Sequence, residues 1–243
     1  MKTRDRILAE SLTLFNAQGE RAVSTNHIAA HLGISPGNLY YHFKGKDPII
    51  HTLFVDFERS FKTVLQAAIE APLELADNWV YFYVLFEEVA DFRFFYRNQQ
   101  SLIERYMDLE PRFKALVSLK VRSMAAIISG LEKQGFLSIN VIEAEEMARR
   151  FAQQLTYWPI YSRIMAPNIS LPVSIHHGVF SMIIQLTPYV SSGSEEFLQL
   201  ITEFRDKMLK SFSNKITNNC SKNSCCKLSW NHINIWIFSY YYH

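Results

Sequence analysis

Cysteine is nearly missing from this 243-residue chain: only Cys220, Cys225 and Cys226 occur, all close to the end. An odd, clustered set does not make a disulfide framework. Adjacent cysteines with one distant histidine, His232, also lack the CxxC spacing that zinc sites favour. No apolar run approaches the roughly eighteen residues of a membrane span, so no membrane partner is expected. Lys2, Arg4 and Arg6 lead into a helical pattern broken by Glu10 and Asn16, not into the apolar core of a secretion signal. A cytoplasmic location is the default reading. Charge of one sign is scarce too, with a net charge of +2; a protein that held nucleic acid by charge alone would be more basic. No GxSxG, Walker loop, GxGxxG or catalytic cysteine setting is present. An enzyme is therefore not expected, nor a cofactor. His27 and His31 lie four apart, a spacing two metal ligands on one helix could use, but the glutamate of an HExxH site is absent. No metal site is assigned.

What is present is concentrated in residues 25–46, TNHIAAHLGISPGNLYYHFKGK. Ser24 or Thr25 can cap a short helix by accepting from its free N–H groups. Ile28, Ala29 and Leu32 give that helix one apolar face. Gly33 follows where a left-handed residue is needed to stop it. Ser35 caps a second helix, and Pro36 fits its first position because the missing N–H has no partner there. About three residues separate the two helices, the length a helix-turn-helix uses. On the second helix Leu39 and Phe43 are four apart and face inward, leaving Gly37, Asn38, Tyr40, Tyr41 and His42 outside. Exposed aromatics on a soluble helix point to a partner surface. Hydroxyls and Asn suit phosphate and base-edge contacts in a major groove, and Lys44 and Lys46 suit phosphate.

The run SPGNLYYHFKGKDPII, with TNHIAAHLGI and TRDRILAESLTLFNAQG before it, resembles the TetR family of bacterial transcription regulators. The resemblance covers residues 3–52. It implies an all-α protein: a three-helix helix-turn-helix domain (residues 1–48), then a larger helical ligand-binding and dimerisation domain (residues 49–213). It also implies a homodimer on double-stranded operator DNA, paired through its last two helices and released by a small-molecule inducer, so that it acts as a repressor. Position by position, it implies DNA contacts from Thr25, Ser35, Pro36, Gly37, Asn38, Tyr40, Tyr41, His42 and Lys46. Pro48 departs from the family's more usual acidic or polar residue, but an early helical position tolerates it.

Beyond residue 46 the periodicity is helical throughout, for a total of eight to ten helices and no strand alternation. Ile49, Ile50, Leu53, Phe54, Phe57, Phe61, Val64 and Leu65 form a 3.6-period stripe ending before Pro72. Residues 73–90 are apolar nearly all round and belong at the centre. Phe94, Phe95 and Tyr96 open a helix running to about Met107. Pro111 sits just inside a helix whose apolar face is Phe113, Leu116, Val117, Val121, Met124, Ile128 and Leu131, and Gly135 stops it. Asn140 with Glu143 resembles a capping box, and Pro159 predicts a kink or break further along that helix. Ser194 opens a last helix, with Phe197, Ile201, Phe204, Met208 and Phe212 on one face. The aromatic load suits a flat or apolar ligand, and Phe82, Phe86, Trp158, Tyr161 and His177 are candidates to line its pocket, ordinary core packing being the other reading of each. Glu87 and Glu88 could receive a cationic ligand or simply form a solvated helix end. Residues 214–243 change composition. They read as an accessory element, a peripheral anchor or an extension with no selected role. The alternative function is a helical small-molecule-binding or scaffold protein without specific DNA binding.

Overall fold

Local signals and apolar stripes decide where each helix starts and stops. In the computed structural model, which describes residues 2–203, 205 and 206, α1 (Thr3–Gln18) buries Ile7, Leu8, Leu14 and Phe15 and ends at Gly19, whose φ of 84° is left-handed. Next come α2 (Thr25–Leu32), α3 (Pro36–His42) and the long α4 (Lys46–Glu70). The larger bundle continues with α5 (Leu75–Asp91), α6 (Arg93–Arg97), α7 (Gln99–Arg105), α8 (Leu109–Lys133), α9 (Val141–Met165) and α10 (Leu171–Ile183). A 3-10 turn, Ile184–Tyr189, follows, and residues 195–201 are helical. Among the described residues no strand forms; an isolated antiparallel bridge joins Leu137 to Val190.

The bundle is built around α8, which packs along both α9 and α4, while α10 lies on α5. The predicted stripe of α4 is buried from Ile49 through Leu65 except at Val64, which is half-buried. Phe54 is its hub, with ring centroids 5.4 Å from Phe95 and 5.0 Å from Phe113. Tilted and edge-on aromatic pairs of this kind add about 1 kcal/mol each beyond simple burial. Gly178 lets α10 approach α5 closely, because a methyl group there would fall into the Phe86 ring.

The structure alters three expectations. The helix expected from Phe94 to about Met107 is two short ones, divided at Asn98, whose ψ of 23° departs from helical geometry. Phe94, Phe95 and Tyr96 are all buried, so this turn is surrounded by protein on every side. Pro159 does not break α9, which runs on to Met165. The ring and its neighbour Trp158 are packed in place, and only the bond to the Leu155 carbonyl is forgone. The third is Lys120. It lies on the buried face of α8 at 1% exposure, its ammonium donating to Thr156 Oγ1 at 2.8 Å and Tyr96 Oη at 3.3 Å. The rings of Phe61 and Tyr96 stand 5.3 and 4.8 Å from it. Burial alone pushes its pKa down to about 7.

The expected boundary at residue 48 falls inside α4, and contacts gather the chain through Ile201 into one compact unit. Phe204, Met208, Phe212, the three cysteines and the 213/214 boundary lie outside the described residues.

Candidate DNA interface and ligand cleft

Ser24 is the cap of α2, its hydroxyl accepting from His27 N at 3.1 Å, which leaves Thr25 at the first helical position. Gly33 takes φ 67°, and its N–H returns to Ala30 O. Ser35 Oγ accepts from Asn38 N at 3.1 Å, with Pro36 opening α3. Leu39 and Phe43, at 1% and 3% exposure, pin α3 to the module, while Arg4 of α1 stands 5.0 Å over the Phe43 ring.

That anchoring fixes what faces outward. Ser35, Pro36, Gly37 and Asn38 are exposed, as are Tyr40 at 57% and Tyr41 at 78%. His42 is half-buried, edge-on to Tyr41 at 5.2 Å, and Lys44 lies 4.6 Å over Tyr40. Of the nine expected residues, seven lie exposed or half-buried on α3 and its cap, and Thr25, half-buried, opens α2. Lys46 departs from the set. Its ammonium donates to Glu20 O at 2.7 Å and Val23 O at 3.2 Å and pairs with the fully buried Glu20 carboxylate at 3.3 Å. It clamps the α1–α2 loop onto α4 from inside, because the buried Glu20 carboxylate and two loop carbonyls lie within its reach.

The same loop joins the module to the bundle. Arg105 of α7 also reaches Glu20, at 3.3 Å, and Arg21 donates to Ser101. Asn16, at the end of α1, donates to Asp91 O at 2.6 Å and accepts from Phe94 N at 3.1 Å, while its own carbonyl accepts from Arg97 at 3.0 Å. One asparagine therefore ties α1 to α5 and α6.

Arg97 also lines a small cleft, about 30 Å³ of space opening to solvent, among α5, α6, α9 and α10. Phe86, Val89, Trp158, Pro159 and Ile175 give it apolar walls; Arg93, Arg97, Ser162 and Ser174 are its polar lining. Phe86 meets Trp158 edge-on at 5.9 Å, and Trp158 Nε1 donates to Ser174 Oγ at 3.3 Å. Of the five expected pocket residues, only Phe86 and Trp158 line this cleft. Tyr161 lies against Trp158 at 5.6 Å but is 48% exposed. Phe82 belongs to a separate cavity with Leu75, Trp79, Leu131 and Phe197. His177 lines none of these spaces; burial, with His176 beside it, pushes its pKa down to about 4, so it is neutral at pH 7. Glu88 accepts from Ser60 at 2.7 Å, and the exposed Glu87 borders a shallow outer groove with Tyr83 and Asp91. The arginines were not among the expected lining because only the packing of α6 against α9 brings them beside Trp158.

Among the described residues no helix is long and apolar enough to cross a membrane, and no three potential metal ligands cluster.

A helix-turn-helix with an exposed reading face, mounted on a larger all-helical bundle, defines a helix-turn-helix transcription regulator. Residues 7–53 match "Bacterial regulatory proteins, tetR family", and residues 56–197, more than half of the chain, match "Bacterial transcriptional repressor". The chain belongs to the TetR family. It is 30% identical to a TetR-family transcriptional regulator from Marinobacter aquaeolei, whose crystal structure superposes with a TM-score of 0.76 over 84% of this chain and 99% of that one. Two regulators of Pseudomonas putida, SrpR and TtgW, are 33% identical to it over 84 residues, 29% of this chain. The matches span 39% of SrpR and 63% of TtgW, so likeness to these curated relatives is partial. Family membership decides between the two readings of the sequence: the chain is a DNA-binding regulator and not a scaffold that merely shares its helices.

Proposed function

We propose that this protein is a repressor that binds a two-fold symmetric operator as a homodimer and leaves it when a small molecule occupies the bundle. The observation that carries the reading is the face of α3. Pro36, Gly37, Asn38, Tyr40 and Tyr41 stand exposed together while Leu39 and Phe43 fix their direction. In this account Asn38 and Gly37 approach base edges. Thr25, Ser35, Pro36, Tyr40, Tyr41 and His42 hold the sugar–phosphate backbone, which sets register. Lys46 acts through the frame that holds α3 in place.

Release follows from linkage. A ligand that binds one arrangement of the bundle better than another moves the population by its differential affinity and no further. The Asn16 bonds to α5 and α6 lie between the cleft and α1, in the right place to couple the two sites. Dimer pairing through a self-complementary helical surface would space two α3 helices about 34 Å apart, one turn of DNA.

The test is a gel-shift titration of the full chain against the DNA upstream of its own gene at two salt concentrations. Nanomolar, salt-sensitive binding to one palindromic segment is expected. Weak binding that is equal for every duplex would contradict the reading.

A further inference from the structure

A roomier space than the cleft beside Trp158 opens at the surface where the end of α5 meets the start of α10. It holds about 320 Å³, the low end of the range that small-molecule sites occupy. Tyr83, Glu87 and Asp91 follow one another at four-residue intervals on α5, so they line up along one face as a continuous wall. Leu171, Pro172 and Ile175, from the first turns of α10, make the facing wall. That wall is apolar and partly open: Leu171 is 41% exposed, while Ile175 is buried. Tyr83 Oη is hydrogen-bonded to His176 Nδ1, which fixes its ring at the junction of the two helices.

The groove has a sign. Glu87 and Asp91 are exposed, and none of the ion pairs among the described residues involves either one. The facing helix brings them no cation, since Leu171–Ile183 contains neither Lys nor Arg. The guanidinium that feels Asp91 is Arg93, which donates to Ala90 O at 2.8 Å and lines the separate cleft beside Trp158. Two carboxylates one turn apart repel each other, and a cation set between them relieves that repulsion. The last turn of α5, where the helix dipole favours positive charge, holds no basic residue of its own. A metal ion asks for more oxygen ligands than this, and among the described residues no three potential metal ligands cluster. An ammonium asks only for acceptors and an aromatic neighbour, and the α5 wall offers both.

Resting on the reading of the bundle as a ligand-responsive domain, we infer that this outer groove takes an organic cation, an ammonium on a short apolar body. The ammonium sits between Glu87 and Asp91, and the body lies along Leu171, Pro172 and Ile175 with Tyr83 beside it. A space of about 320 Å³ suits a single ring on a short chain. The backbone carbonyl of Asp91 is the acceptor of the Asn16 side chain at 2.6 Å. The ammonium would therefore rest on the residue that holds the end of α1 to the bundle.

Calorimetric titration of the full chain with 4-phenylbutylamine, 4-phenylbutan-1-ol and 4-phenylbutyrate tests this on the native protein. These probes share a body and differ in head-group charge. The amine should bind about tenfold more tightly than the alcohol, and the acid most weakly. Glu87→Gln combined with Asp91→Asn should bring amine and alcohol to within about threefold of one another, while Leu171→Ser should weaken both alike. Equal affinities, preference for the acid, no binding by any of the three, or an amine preference that survives the double change would overturn the assignment. If either variant fails to fold, the native comparison still decides. Operator binding measured on the same preparation separates the two readings: a native protein that holds its operator but does not prefer the amine is a regulator without this cation site.

Discussion

Tyr41 and Lys46 lie five residues apart and illustrate opposite uses of a polar side chain. Tyr41 touches little within the protein, so Tyr41→Ala should leave the melting temperature within a degree or two while weakening operator binding about tenfold, as gel shift and thermal melting on one sample would show. Lys46 is the reverse. Removing its ammonium leaves Glu20 buried with Arg105 alone and strips two carbonyls of their donor. Lys46→Ala should therefore destabilise the fold by about 2 kcal/mol, somewhat below the usual cost of breaking a buried pair because one partner remains. Its salt dependence of DNA binding should match that of the native protein; a reduced slope would return Lys46 to the phosphate backbone. Lys120 gives a pH test. Its folded pKa of about 7 lies below the ordinary lysine value of 10.5, so between those limits the unfolded chain holds more protons than the folded one. Stability then rises with pH across that window, and below it the whole cost of burying the charge is felt. From pH 7 to 9 the native protein should gain roughly 2 kcal/mol relative to Lys120→Met, measured by urea unfolding. Parallel curves for the two proteins would mean the ammonium is not desolvated.

At the scale of elements, the helix-turn-helix was legible because each of its signals is local. Ser24, Gly33, Ser35 and Pro36 act within four residues of where they stand, and the structure places every one in its expected role. Most of the α4 stripe was legible for the same reason, but the face of α8 is turned from the expected one: Val117 and Val121 are half-buried, and Leu119 and Lys120 are buried in their place. No local rule announces that Thr156 and two rings wait on neighbouring helices. The division of α6 from α7 and the passage of α9 through Pro159 were hidden likewise, since each is decided by what packs around the backbone. So was the lining of the cleft: Phe82 borders a different cavity and His177 borders neither, while Arg93 and Arg97 come to it through the turn that α6 makes. Gly178 is the element-scale control. Gly178→Ala should drive a methyl into Phe86, separate α10 from α5 and cost about 2 kcal/mol. It should also reshape the cleft wall that Phe86 forms. A melting temperature equal to the native one would show that the two helices have room to spare.

At the scale of the whole molecule, a few hydrogen bonds at the end of α1 join the helix-turn-helix to the bundle. Asn16→Ala removes the side-chain bonds to Asp91 O and Phe94 N without touching α3 or the cleft's apolar walls. The account expects operator affinity and ligand affinity each to survive within about fivefold, with the coupling between them reduced. The central claim is that α3 reads sequence, and selection of duplexes from a random pool tests it most directly. The native protein should recover a palindrome whose half-sites are one DNA turn apart. Asn38→Ala should recover a site altered at the same position in both halves. An identical site from both proteins, or a native site with no two-fold symmetry, would contradict it.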